Sequence, residues 1–429
     1  MVRSAPPADL SGDRLAGLMT VLNLIRNRQA TTRLEVEQRT GLGRTAVTQR
    51  VERLVELGLA QEDVPAKAAI GRPPRGLSFV KDRGHLLVAD LGVTSIRAGV
   101  TDLDGQVLAA TEEPLDIAAG PDVVLGRLGE LFDTLLKERT DTHAPVWAVG
   151  IGIPARVEFS SGRPIAPPVM PGWDNYPIRE HLTERFNVPA WIDNDVNVLA
   201  VGELRAGVAR NLSDALFVKV GSGIGAGLIS HGQLHRGARG CAGDIGHISV
   251  TDDPAVVCRC GNIGCLEAVA GGAALVREAT NLARDGRSAF FADRLAAAGT
   301  LQIGDVVQAL SHGDPYAVVM LDRAADLVGK VLAGLVNFYN PSLIMIGGHV
   351  TGYDDRFLAR IRQAVYQRSS PLATRELRIS RPLLSGEARL QGAAFIVIDE
   401  LFTPATLSRW IHAGTPVGVV QQVDESSIA

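Results

Sequence analysis

The chain has 429 residues, of which 46% are hydrophobic and 21% charged, and this composition is typical of a folded protein with two or three domains. We expect no membrane span, because no apolar run approaches the roughly 20 residues that a bilayer requires. Four cysteines in so long a chain, with no secretory signal, argue against a disulfide framework and predict a reducing, cytoplasmic setting.

The net charge of −4 by itself disfavours nucleic-acid binding, but the charge is unevenly distributed. Residues 1–80 hold 12 Lys and Arg against 8 Asp and Glu, whereas the remainder holds 31 against 39. A basic head of +4 on an acidic body of −8 is the pattern of a DNA-reading domain attached to a domain that binds a neutral ligand. The imbalance is modest, so it only supports that interpretation.

Three helices are predicted in the head. Residues 1–12 are rich in Pro, Ala and Ser and are predicted to be disordered. Leucines at helical spacing predict a first helix over 13–27, and a capping-box pattern predicts a second over 32–40. A third helix over 44–57 buries an apolar face formed by Val47, Val51 and Leu54.

A helix, a short turn and a second, arginine-bearing helix form the helix-turn-helix arrangement, in which the second helix enters the major groove. Residues 59–62 predict a short strand, and the Pro- and Gly-containing loop over 70–79 predicts a wing that reaches the minor groove or the phosphates. The alternative is a plain three-helix bundle with a solvated polar face. The predicted DNA-contacting residues are Arg44, Thr45, Thr48, Gln49, Arg50, Arg72 and Arg75.

The body, residues 86–404, is predicted to repeat one α/β plan. Strands at 86–90, 96–100 and 106–111 are joined by tight turns, and strand, glycine turn and strand recur over 216–230. A duplication of this type indicates two lobes of the actin-like ATPase type with ligands in the cleft between them. Further helices are predicted at 123–139, 178–186, 315–339, 356–367 and 388–401, and further strands at 146–153, 190–192 and 343–346.

Two glycine turns are candidate phosphate loops, because backbone N–H groups can approach phosphate oxygens where no Cβ intervenes. They span 90–94 and 221–225, and a glycine pair follows the strand at 343–346. In the first turn the β-branched Val93 would crowd a bound triphosphate. The candidate phosphate- or nucleotide-binding residues are Asp90, Gly92, Thr94, Gly221, Gly223, Gly225, Gly347 and Gly348.

An Asp-Asn-Asp run at 193–195 ends a predicted strand and faces the predicted cleft. Phosphoryl transfer to a sugar hydroxyl needs one carboxylate to take the hydroxyl proton while neighbouring groups hold the sugar. The alternative is an ordinary polar turn.

A histidine and three closely spaced cysteines, His247, Cys258, Cys260 and Cys265, predict a closed tetrahedral zinc site. Four protein ligands leave no position for water, so we expect a structural metal rather than a catalytic one. The alternative is three small buried cysteines near an unrelated histidine. The fourth cysteine, Cys241, has no comparable spacing and is expected to be an ordinary small buried residue.

Two carboxylates flank the predicted metal ligands. Asp244 and Glu267 could accept hydrogen bonds from a polyhydroxylated ligand, and the alternative is that both are solvated loop acids.

The G-D-I-G-H run and the C-R-C-G-N-I-G-C-L-E knuckle resemble the signature of the ROK family of bacterial glucokinases, related sugar kinases and sugar-responsive repressors. The resemblance covers 13–404 and implies a mainly α/β chain, with a winged helix-turn-helix before a two-lobed actin-like ATPase (ribonuclease H-like) ROK domain that holds structural zinc. It implies domains at 13–80, at 85–200 with 388–404, and at 201–387, with a C-terminal tail at 405–429. The resemblance implies zinc ligation by the four residues above and sugar contacts by Asn194, Asp195, Asp244, His247 and Glu267.

The first functional hypothesis is a sugar-responsive transcriptional regulator, most simply a repressor, since the G-R-P-P segment resembles ROK repressors and the family's kinases lack this head. Its partners are operator DNA, a sugar or sugar-phosphate effector, and further copies of the chain as a homodimer or homotetramer, with no membrane.

The second hypothesis is an ATP-dependent sugar kinase that uses Asp195 as catalytic base, ATP and Mg²⁺. Three departures from the family's kinases count against it: Val93, Asp244 where they carry glutamate, and Val169 where they carry asparagine. A third hypothesis is a protein-binding scaffold, which would have no DNA affinity.

Overall fold

The structure is a computed structural model that describes residues 12–63, 76–139, 144–348, 350, 355–383 and 387–419. The head contains α1 (Gly12–Arg26), α2 (Arg33–Thr40), α3 (Arg44–Glu56) and an antiparallel hairpin of β1 (Ala60–Asp63) and β2 (Gly76–Phe79). Gly12, which we predicted to be disordered, begins α1. The rest of that predicted segment and most of the predicted wing lie outside the described residues.

Local capping places the helices of the head. The Thr32 hydroxyl accepts a hydrogen bond from the Glu35 backbone N–H at 3.2 Å, as the capping-box pattern predicts. The Glu35 carboxylate accepts a hydrogen bond from the backbone N–H of Thr31 at 2.6 Å, and this bond is the largest cause that lowers the pKa of Glu35. The predicted apolar face of α3 is confirmed, because Val47, Val51 and Leu54 are fully buried.

The first lobe is a five-stranded sheet with the order β5-β4-β3-β6-β9, flanked by α4 and α5. Its first three strands form an antiparallel meander, and β6 and β9 join in parallel. The elements are β3 (His85–Leu91), β4 (Ser95–Thr101), β5 (Val107–Pro114), α4 (Pro121–Glu138), β6 (Val146–Ile153), β7 (Val157–Glu158), β8 (Arg163–Pro164), α5 (Ile178–Phe186), β9 (Ala190–Asn194) and α6 (Asp195–Arg205).

The second lobe repeats this topology in the order β12-β11-β10-β13-β14, which confirms the predicted duplication. Again the first three strands are antiparallel and the last two join in parallel. The elements are β10 (Ala215–Val220), β11 (Ile224–Ser230), β12 (Gln233–His235), α7 (Leu266–Ala270), α8 (Gly272–Arg284), α9 (Ala289–Ala298), α10 (Ile303–Ser311), α11 (Pro315–Tyr339), β13 (Leu343–Gly347), α12 (Asp355–Arg368), α13 (Pro371–Thr374) and β14 (Arg378–Ser380).

Two C-terminal helices, α14 (Glu387–Leu401) and α15 (Pro404–Trp410), return to the first lobe. We assigned residues 405–429 to a C-terminal tail, but the first part of that segment forms α15, whose Leu407 and Trp410 pack into a core shared with the first lobe. Among the described residues no single helix is long and apolar enough to cross a membrane, although α14 and α15 pass that criterion as a pair bent by 75°.

One hydrophobic core runs from the head into the first lobe. It contains Leu22 and Leu54 of the head, Trp147 of β6, and residues of α14 and α15. The Trp410 ring lies 5.3 Å from that of Trp147 and 5.6 Å from that of Phe402, measured between centroids, and Phe402 contacts Phe79 of β2 at 5.8 Å. The head is therefore joined to the first lobe by shared buried side chains.

Helix α6 packs against both lobes. Val198 and Val201 belong to the core that reaches the head, whereas Val196 and Ala200 pack against the second sheet. Contact with α14 is close, since a Cβ at Gly392 would lie 2.0 Å from the Val198 carbonyl oxygen. Any side chain at that position would push the two helices apart.

Candidate functional site

The four predicted metal ligands converge. All four ligand atoms lie within 4.8 Å of one another, with 3.6 Å between Cys258 Sγ and His247 Nδ1 and 3.7 Å between the sulfurs of Cys260 and Cys265. Bond lengths of about 2.3 Å to sulfur and about 2.0 Å to nitrogen put tetrahedral zinc ligands about 3.5–3.8 Å apart. The donor set and its spacing therefore fit a zinc ion.

Backbone geometry holds this zinc loop, residues 244–267, in shape. Isolated antiparallel bridges join Ser249 to Cys265 and Val257 to Ile263. Gly264 has φ of +75°, and a Cβ there would lie 1.7 Å from the Thr251 carbonyl oxygen. Only glycine fits this close approach.

Burial raises the pKa of the Cys265 thiol to about 12, and a bound metal cation would oppose this shift by stabilising the thiolate. The fourth cysteine differs: Cys241 is exposed, and our expectation that it is buried was wrong. A small residue at a glycine-rich turn need not pack into a core.

A cation from the first lobe reaches the zinc loop. Arg156, in the loop after β6, places Nε 3.3 Å from Asp244 Oδ2 and a terminal nitrogen, Nη2, 3.5 Å from His247 Nε2. The other Asp244 oxygen lies 3.6 Å from the same imidazole nitrogen. Sequence reasoning missed Arg156, although its place just after a buried strand end was a usable signal.

Asn194 and Asp195 lie where β9 ends and α6 begins. Asn194 caps the helix by accepting a hydrogen bond from the Val196 N–H at 2.9 Å, and its Nδ2 donates to the Ala155 carbonyl at 2.8 Å. This second bond places Asn194 beside the loop that carries Arg156.

Asp195 is buried and forms an ion pair with Lys219 of β10. Because the ammonium group occupies one oxygen of this carboxylate, Asp195 is less available as a proton acceptor than an unpaired aspartate. Lys219 is a second residue of the cleft that sequence reasoning missed.

Glu267 connects the zinc loop to the second glycine turn. Its Oε2 accepts a hydrogen bond from the Ile224 N–H at 2.9 Å, and a Cβ at Gly223 would lie 2.4 Å from that oxygen. The Gly221 carbonyl accepts from the Gly272 N–H at 2.8 Å at the start of α8.

The remaining predicted phosphate-loop residues are divided between the lobes. Gly225 lies in β11, Gly347 ends β13, and Gly348 follows it, where a Cβ at Gly348 would lie 2.2 Å from the Val220 carbonyl oxygen. These glycines therefore lie at the same edge of the second sheet as Gly221 and Gly223.

In the first lobe Asp90 Oδ2 pairs with Arg389 Nη1 of α14 at 2.7 Å. Burial acts to lower the pKa of Arg389, but the Asp90 carboxylate outweighs it and the pKa is raised. The Gly92 N–H bonds the Ser95 carbonyl, Val93 packs against the first-lobe core, and Thr94 is exposed. The first glycine turn is thus held by a hydrogen bond within the turn, and its carboxylate, Asp90, is already paired with Arg389.

The predicted DNA-reading face is only partly assembled. Arg44, Thr45 and Gln49 are exposed and Thr48 is half-buried on α3. Arg50 instead bonds the Ala46 carbonyl at 3.0 Å, and its guanidinium lies over Gly17 of α1. Arg72 and Arg75 lie outside the described residues.

Comparisons with known proteins agree on the family. The model of the ROK family matches residues 87–400. A xylose repressor from Caldicellulosiruptor bescii is 30% identical over 90% of this chain and 96% of its own, and a glucokinase from Halalkalibacterium halodurans is 29% identical over 74% and 96%. A crystal structure of a ROK family transcriptional regulator, a homologue of the E. coli MLC protein, superposes with a TM-score of 0.79 at 24% identity, over 94% of this chain and all of that one.

The two alignments differ in reach. Residues 81–429 number 349, so the 390-residue alignment with the repressor necessarily extends into the first 80 residues. The alignment with the glucokinase spans 318 residues, which is short enough to fit within the body.

Proposed function

Since this chain belongs to the ROK family, we propose that it is a sugar-responsive DNA-binding regulator, most simply a repressor of carbohydrate-related genes. The observation that carries this proposal is the hydrophobic core shared by the head, the first lobe and the C-terminal helices. Because the DNA-binding domain shares a hydrophobic core with the first lobe, it moves when the first lobe moves. The alignment with a xylose repressor into the head supports the same assignment.

The proposed sugar site lies between the two lobes. Asn194 and Asp195 border it from the start of α6, and Asp244, His247 and Glu267 border it from the zinc loop. Bound zinc would have only a structural role, fixing the conformation of the zinc loop, because its four protein ligands complete a tetrahedron. Carboxylate and amide groups converging on one space suit the many hydroxyl groups of a sugar.

Helix α6 connects the proposed sugar site to the head through α14 and α15. It begins with the proposed sugar contacts, packs closely on α14, and α14 leads into α15, whose Trp410 lies in the shared core. A sugar that draws the lobes together shifts α6 and α14, and with them the head. In a homodimer or homotetramer that shift changes the spacing between two reading helices, and the affinity for a two-part operator falls.

A second candidate function is ATP-dependent sugar phosphorylation, which would require ATP, Mg²⁺ and Asp195 as base. It is favoured by the place of Asp195 at a strand end and by the glycines gathered at the edge of the second sheet. The pairing of Asp195 with Lys219 and of Asp90 with Arg389 argues against it. A coupled ADP-release assay over a panel of hexoses, with Asp195→Asn as control, separates the two functions, and we expect no difference between the two proteins.

The proposed function is tested in two steps on the zinc-loaded chain. Selection from random duplexes identifies a DNA ligand, and a thermal-shift screen of sugars and sugar phosphates identifies effectors, because a ligand that binds only the folded state raises the melting temperature. We expect both to succeed. A chain that enriches no duplex, or whose melting temperature no sugar raises, does not have this function.

A further inference from the structure

Arg156 lies next to three of the residues of the proposed sugar site. It follows Ala155, whose carbonyl binds Asn194, and its side chain crosses from the first lobe to Asp244 and His247 of the zinc loop. The Arg156 side chain is 32% exposed, so solvent reaches part of it. A cation thus stands among the residues that would otherwise present only acids, an amide and an imidazole.

The contacts around Arg156 hold more hydrogen-bond donors than acceptors. His247 Nδ1 faces the cysteine sulfurs, so with Nδ1 on the metal the Nε2 atom carries the proton and is a donor. Arginine has donors only, and the 3.5 Å approach between Nη2 and His247 Nε2 therefore joins two donors. Both are served by one acceptor group, Asp244, at 3.3 and 3.6 Å. These distances exceed the roughly 2.7–2.9 Å of a charge-assisted hydrogen bond.

The other cations near the cleft are more tightly paired. Arg236 lies 2.8 Å from Asp193, and Arg389 lies 2.7 Å from Asp90. Lys219 is in direct contact with the buried Asp195. Of these four pairs the one made by Arg156 is the longest, and the nitrogen closest to the carboxylate is Nε. The guanidinium edge with Nη1 and Nη2 keeps the forked geometry that matches an anion.

We propose that the effector is a carbohydrate carrying an anionic group, a carboxylate or a phosphate, which Arg156 binds together with His247 Nε2. This inference rests on the proposed sensor function and narrows its ligand class. The sugar hydroxyls then bind Asn194, Asp195 and Glu267, while Asp244 orients Arg156 through its Nε. Arg156 is the residue that distinguishes a charged sugar from its neutral parent.

The test is isothermal titration calorimetry of the zinc-loaded full chain with matched sugars: glucose, glucose 6-phosphate and glucuronate, the equivalent trios of mannose and galactose, and N-acetylglucosamine with its 6-phosphate. We expect one charged member to bind about 10- to 100-fold more tightly than its neutral parent, the usual gain from charge-assisted hydrogen bonds. The phosphate and carboxylate arms identify which anion is recognised.

Arg156→Gln should abolish this preference and Arg156→Lys should retain part of it. Arg163→Gln is the matched control, because Arg163 lies in the adjacent hairpin and pairs with Glu180 outside the site. The zinc content of each variant confirms that its loop is intact. Equal or tighter binding of neutral sugars by the unaltered chain, or a preference that survives in Arg156→Gln, overturns the inference and leaves the sensor function standing. Failure of every sugar to bind overturns both.

Discussion

The two lobes have the same strand order and connection pattern, but the hydrophobic core of the first lobe extends into the head and that of the second lobe does not. In the first lobe one core continues through α14 and α15 into the head. In the second lobe the corresponding core contains only residues from 216 to 379 and is closed by α7–α12. The edge of the second lobe that faces the cleft is the zinc loop, which is fixed by backbone bridges and by the donor set for a metal.

This difference assigns separate tasks to two copies of one architecture. In the proposed function, the first lobe carries the DNA-reading head, and the zinc loop of the second lobe provides a rigid surface for the ligand. Helix α6 contributes buried residues both to the core that reaches the head and to the core on the second sheet. We therefore expect substitutions in the zinc loop of the second lobe to remove ligand binding. Substitutions in the core shared by the first lobe and the head should leave ligand binding intact but remove the effect of the ligand on DNA affinity.

The largest expected effect comes from breaking the zinc loop. Cys258 is buried among the other ligands, and Cys258→Ser removes one of the four donors. We expect zinc affinity to fall more than about 100-fold, because loss of a residue that only hydrogen-bonds to a metal ligand already lowers metal affinity about 10- to 100-fold. Sugar binding should be lost with the metal while DNA binding by the head persists. Zinc content by elemental analysis and sugar binding by calorimetry measure the two effects.

Cys241→Ser is the matched control, because this cysteine is exposed and outside the cluster. It should retain zinc and sugar binding. If Cys258→Ser also retains both, the zinc loop is not part of the sensor.

Trp410→Ala should produce the next largest effect. Trp410 is fully buried between Trp147 and Phe402, and its Nε1 donates to the Leu401 carbonyl at 3.1 Å. Truncation of a buried aromatic residue costs about 3–5 kcal/mol of unfolding free energy. Chemical denaturation measures this loss, and the folded fraction should still bind sugar but release DNA less completely.

Phe338→Ala provides the comparison on the second lobe, because Phe338 is 89% exposed. Its effect on unfolding should be within about 0.5 kcal/mol. A Trp410→Ala protein as stable as Phe338→Ala would show that the shared core does not hold the head.

Gly392→Ala probes the contact between α6 and α14 directly. The added methyl group meets the Val198 carbonyl, and overpacking of this kind costs about 1–3 kcal/mol. Gly334→Ala on α11 has open space around it and should be neutral or slightly stabilising. Melting temperatures and the sugar dependence of DNA binding distinguish the two variants, and equal behaviour would exclude a tight α6–α14 contact.

The smallest effect is confined to the head. Gln49 is exposed on α3, and Gln49→Ala should weaken binding to the selected duplex about tenfold without changing stability or sugar binding. Gln363→Ala on α12, also exposed, is the control. Fluorescence anisotropy with the labelled duplex gives both affinities, and an unchanged affinity for Gln49→Ala would place the reading surface elsewhere.

The parts that sequence analysis predicted correctly depend on short-range patterns. The metal ligands lie within 19 residues of one another, and the repeated strand and glycine-turn pattern reveals the duplication. The ion pairs that alter the cleft could not be predicted in this way, since Arg389 pairs with Asp90 across 299 positions and Arg156 approaches His247 across 91. Only the folded chain brings these charges together.

Helical elements were missed for a different reason. Helix α8 begins at a glycine pair, which in sequence is typical of a turn. Helix α15 has only seven residues, and its formation depends on burial of Trp410 in a core built by distant segments. The orientation of Arg50 over Gly17 likewise depends on the packing of α1 against α3.

The most direct test of the account is thermodynamic reciprocity between the cleft and the head. If both sites share one conformational equilibrium, a sugar that weakens DNA binding must itself bind the DNA complex more weakly by the same factor. Anisotropy titrations with and without saturating sugar, and calorimetry of the sugar with and without the duplex, give the two factors. The account predicts equal factors of about 5- to 150-fold, whereas a duplex affinity that no bound sugar changes would contradict it.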